Sequence, residues 1–131
     1  MFKKILCLFL LCFIFLPANV WAEKTAKTIL FIPHDNRPIS FEQTADNIRY
    51  LGYEVLTPPE KYLGNRTDPE GSPDKLAEWA AENIKQADAA VISSDALIYG
   101  SLVASRKHDL SEKTVLKRAA KIDKIHKANT K

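Results

Sequence analysis

The chain has 131 residues, 46% of them hydrophobic and 27% charged, with a formal net charge of +3. That length supports one domain, and a charge so close to neutral excludes the dense basic surface of a nucleic-acid binder. Both cysteines, Cys7 and Cys12, lie in the first apolar stretch; without that stretch the chain has neither a disulfide nor a thiolate site.

The amino terminus "MFKKILCLFLLCFIFLPANVWA" carries Lys3 and Lys4, then an unbroken apolar run from Ile5 to Leu16. Val20-Trp21-Ala22 places small residues three and one before a cut. This is the pattern of a secretory signal peptide over residues 1–22. The run is short for a bilayer about 30 Å thick. The residues preceding each cysteine do not suit lipid attachment. Cleavage after Ala22 removes two of the 19 basic residues, leaving 17 against 16 acidic ones in residues 23–131. The sequence therefore predicts an exported protein with no stable membrane span.

Thr28–Ile32 is continuous apolar sequence, as in a strand buried on both faces. Ser40 and Gln43 have capping-box spacing ahead of a helix. Phe41, Ala45, Ile48 and Leu51 recur on one helical face, and Gly52 is placed to end it. "YEVLT" (53–57) reads as a second strand, stopped by Pro58-Pro59. The loop "PPEKYLGNRTDPEGS" is about 15 residues, long enough to be functional; Asn65-Arg66-Thr67 within it fits a glycosylation acceptor only in a eukaryotic secretory pathway. Ser72 and Pro73 then mark a helix start, with Leu76, Ala80 and Ile84 inward and Trp79 beside them. "ADAAVIS" (87–93) reads as a third buried strand. "SDALIYGSLVASR" reads as a second crowded loop, apolar in its middle. Ser111 opens a last helix with Val115, Ala119, Ile122 and Ile125 inward and a solvated lysine face.

The order is βαβαβα, an α/β fold with a parallel sheet. It suits an incomplete part of either a larger doubly wound sheet or a (β/α)8 barrel. In both, ligands bind beyond the carboxyl ends of the strands. There the sequence places His34, Asp35, Asn36 and Arg37 after the first strand, and Ser93, Ser94, Asp95, Tyr99, Gly100, Ser101 and Arg106 after the third.

Asp35 and Asp95 are the candidate general acid and base, as a carboxylate pair across neighbouring strand ends. Arg37 and Arg106 suit a carboxylate or phosphate, with Asn36, Tyr99 and Gly100 as further substrate contacts. His34 can shuttle a proton or join a metal site with Asp35, but a lone histidine at a strand end is more often a bystander. Bland roles compete throughout. Asp35 or Asn36 can cap a turn before Pro38, Arg37 can simply pair with Asp35 or Asp95, and Tyr99-Gly100 can be a turn. There is no G-x-S-x-G elbow, Walker-A sequence, glycine-rich dinucleotide turn or H-E-x-x-H. The sequence has only His34, His108 and His126, with no cysteine beyond residue 22, and specifies no histidine-rich metal centre. No cofactor is specified.

"ILFIPHDNRPIS", "YEVLTPPEKYLGN" and "DAAVISSDALIYGSLVASR", in that order, resemble the N-terminal part of a bacterial family known as domain of unknown function four-one-two-seven. The resemblance implies an α/β fold and shared polar residues at Asp35, Arg37, Pro38, Asp95, Tyr99, Gly100, Ser105 and Arg106. It brings no established activity. His34 stands where the family pattern has an aliphatic residue, Asn36 where many members have a second acid, and Ser101 replaces a glycine. Full-length members are longer, so the expectation is an N-terminal fragment. Its parent is expected to be a hydrolase acting on an envelope or extracellular carbohydrate-like substrate. A non-catalytic sugar- or anion-binding domain, or a fragment without independent activity, are the alternatives.

Overall fold

The computed structural model describes residues 26–128. The signal-peptide reading falls on residues outside that range. Three parallel strands, β1 (Thr28–Ile32), β2 (Glu54–Leu56) and β3 (Ala89–Ile92), lie in the order β2-β1-β3. The five helices described are α1 (Glu42–Tyr50), α2 (Pro73–Asn83), α3 (Ser94–Tyr99), α4 (Leu102–Ser105) and α5 (Glu112–Ala128). One-turn 3₁₀ segments occur at Glu60–Tyr62 and Ile84–Gln86.

The α/β reading holds, and the strand order resolves what the sequence left open. Consecutive strands of a (β/α)8 barrel are added in one direction. Here Ile29 faces Val55 of β2 on one side and Ala89 of β3 on the other, so the two crossovers run in opposite directions. Right-handed crossovers of that kind put their helices on opposite faces of an open, doubly wound sheet.

Pleating distributes β1 accordingly. Leu30 and Ile32 enter a core with Leu63, Leu76, Ala80, Ile84, Leu97 and Ile125. Phe31, also buried, lines a groove with Ile39 and Thr44 at the start of α1. The core helices are clamped by charge as well as by packing. Asp74 in the first turn of α2 pairs with Lys121 and Arg118 of α5, and Arg118 also donates to the Ile98 carbonyl at 2.8 Å.

Four expectations are corrected. Ser40 does not cap α1. The chain already turns at Arg37, whose carbonyl accepts from both Ser40 and Phe41, and Phe41 takes the cap position. Leu51 is 72% exposed, because α1 ends before its apolar face completes another turn. The third strand is not buried: among the described residues β3 has β1 on one side only, and Val91 is 54% exposed. Residues 94–105 are two short helices, with the hydroxyls of Ser93 and Ser101 accepting from the amides of Ala96 and Ala104. Ser72 does precede α2, with Pro73 in the first turn, although its hydroxyl makes no cap bond.

Candidate functional site

In a sheet of this order the direction of winding reverses between β1 and β3, and the crevice beyond their carboxyl ends is where open α/β sheets bind ligands. The chain leaves β1 through buried Pro33. The next residues turn to different surroundings.

Asp35 is 3% exposed. Its carboxylate receives Arg37 Nε at 3.0 and 2.9 Å, an Arg37 terminal nitrogen at 2.7 Å and the Arg37 backbone N–H at 3.2 Å. Burial pushes the Asp35 pKa up, but these Arg37 contacts, aided by Ser40, outweigh it and hold the pKa below the ordinary aspartate value. Asp35 is therefore a fixed anion that orients a half-exposed guanidinium. Asn36 braces the same turn, its backbone N–H reaching the Gly64 carbonyl at 3.0 Å and its side-chain amide the Glu60 carboxylate at 2.9 Å.

His34 faces the end of β3. Its Nδ1 lies 2.8 Å from Ser93 Oγ and 3.5 Å from Asp95 Oδ2. Both partners use the same ring nitrogen. This differs from a nucleophile–histidine–acid relay, in which the hydroxyl and the carboxylate take opposite nitrogens. Here Nδ1 is held from the protein side and Nε2 of a half-exposed ring is left for another partner. That arrangement orients the ring and leaves Nε2 facing away from Ser93 and Asp95, the geometry that proton transfer through Nε2 requires.

The candidates thus divide into groups. Asp35 and Asp95 have separate partners, Arg37 and His34 respectively. Arg37 and Asp35 line a cleft of about 280 Å³ with Asn65, Arg66, Pro69, Ser101 and Val103. Tyr99 lines a second cavity of about 300 Å³, its ring stacked on His108 at 4.5 Å. Gly100 is buried at the junction of α3 and α4 with φ +102°, and a Cβ there would overlap the Glu70 backbone. Arg106 follows α4, exposed, and lines neither cavity.

The sequence reading gave His34 only a possible proton role and passed over Arg66 and His108. Arg66 had a visible signal, a cation in an unusually long loop. Among the described residues no group of three or more His, Cys, Asp or Glu is placed to hold a metal ion, and no helix is long and apolar enough to cross a membrane.

Residues 29–131 match the sequence model of a family described as "Protein of unknown function (DUF4127)". No curated protein and no solved structure matches the chain.

Proposed function

The chain belongs to the DUF4127 family, and from the geometry of its strand ends we propose that it is exported and carries a hydrolytic proton-transfer site for an envelope or extracellular carbohydrate-like substrate. The carrying observation is the held Nδ1 of His34, with Nε2 directed away from both protein partners. His34 moves the proton, Asp95 and Ser93 hold the ring, and Arg37 anchors an anionic group on the substrate. Asp35, which the sequence offers as acid or base, instead positions Arg37, because its lowered pKa keeps it ionised. The apolar leader ending at Ala22 supplies the argument for export.

The test is a turnover screen on nitrophenyl glycosides and phosphate esters. His34→Ala is expected to lower kcat/KM by about 10²–10⁴-fold, the usual worth of a positioned acid–base group. Asp95→Asn is expected to follow it with a smaller loss, and Arg37→Ala to act mainly on KM. Turnover indifferent to His34→Ala would refute the proposal. Binding without turnover, lost in Arg37→Ala, would select a sugar- or anion-binding domain. That reading is favoured by the cleft that presents Arg37 and Arg66 together.

A further inference from the structure

The cleft at the end of β1 and the cavity beside Tyr99 are neighbours. Pro69 and Val103 line both. The long loop packs closely on the α3–α4 junction beside them: a Cβ on Gly64 would crowd the Pro69 carbonyl, the Ser101 Cβ and the Gly100 carbonyl, and one on Gly71 the Gly64 amide. Each cavity alone is at or just below the lower limit of ligand sites, about 300–1,000 Å³, and joined they fall within that range.

Their chemistries differ. One presents Arg37 and Arg66, and Arg66 makes no ion pair among the described residues. The other presents the Tyr99–His108 stack, the likewise unpaired Lys107, and two acids, Glu70 and Asp109. Guanidinium groups suit a carboxylate or phosphate. An aromatic wall beside carboxylates suits a ring with an apolar face and hydroxyl donors. Glu70 and Asp109 would repel a second anion.

We infer that the two cavities are adjoining subsites of one groove, which takes an acidic disaccharide-like unit: an anionic sugar at Arg37 and Arg66, and a neutral sugar ring against Tyr99 and His108. This inference rests on the reading of Arg37 as an anion anchor, but not on the proton chemistry of His34.

The experiment is calorimetric titration of the purified chain with three probes: glucuronic acid, cellobiose and cellobiouronic acid. Cellobiouronic acid is expected to bind at least tenfold more tightly than either other probe. Arg66→Ala should abolish its advantage over cellobiose, and Tyr99→Ala its advantage over glucuronic acid. Lys107→Ala, at an exposed position, provides a second variant at the ring subsite and should weaken cellobiouronic acid severalfold while sparing glucuronic acid. The His108 ring signals should move with the disaccharide and not with glucuronic acid. Equal affinities for the three probes, no binding of any, or indifference to both Arg66→Ala and Lys107→Ala would overturn the inference. Repeating the titration on His34→Ala separates the two claims. The binding pattern should persist there, whereas the proton-transfer proposal stands or falls on turnover.

Discussion

His34 and Asp35 are adjacent, yet they have opposite fates. Asp35 turns inward to a partner two residues away, so its pairing with Arg37 is already readable in the local string D-N-R. His34 turns to partners 59 and 61 residues away, and no local pattern announces a contact that needs β1 and β3 to be paired in register. The Asp35–Arg37 interaction also has a defined pH signature. The folded-state pKa of Asp35 lies below its unfolded value of about 3.9, so its contribution is complete above that value and disappears as pH falls through the folded pKa. Asp35→Asn is expected to cost about 1–3 kcal/mol at neutral pH, the usual result of breaking a buried charge-assisted network. Thermal melts of both proteins at pH 7 and at pH 3 should show the gap narrowing in acid. Asp74, whose pKa Lys121 lowers by hydrogen bonding, gives the same acid loss in both proteins and cancels from the comparison.

Among the helices, the longer ones were legible and the shortest were not. The last helix shows its apolar positions clearly over 17 residues, and Ile125 is indeed buried. The helices of six and four residues after β3 are too short to display a helical period, so their sequence resembles an apolar loop. What joins them is Gly100. Its positive φ and its contact with the Glu70 backbone both require the absence of a side chain. Gly100→Ala is expected to destabilise the chain by about 2–4 kcal/mol, combining backbone strain with displacement of the 64–71 loop. Denaturant unfolding would measure this loss. An effect near zero would mean that the loop moves aside freely.

At the scale of the molecule, a parallel sheet was legible from alternating strands and helices, but the choice between barrel and open sheet was not. That choice depends on which side of β1 each crossover places the next strand, and no residue pattern encodes it locally. The same limit explains the error over β3. A continuous apolar run normally means burial on both faces, yet Ala89, Ala90 and Val91 are exposed at an edge. An apolar strand with unpaired outer backbone groups is a template for association. Sedimentation at rising concentration is expected to show reversible self-association, reduced by Val91→Lys. A monomer at every concentration would contradict this expectation.

Among the described residues β3 is hydrogen-bonded on one side only, so opening of the β1–β3 ladder breaks no second ladder there. Ser93, which directly follows β3, would move with it, while Asp35 and Arg37 stayed together on the β1 side and α3 remained held by Leu97 and Ile98. The imidazole would then lose the hydroxyl that orients it. Pairing of β1 with β3 and orientation of the histidine are consequently coupled. Any chain that adds to the outer edge of β3 would favour the paired state, and by reciprocity a ligand seated on His34 would strengthen that distant pairing.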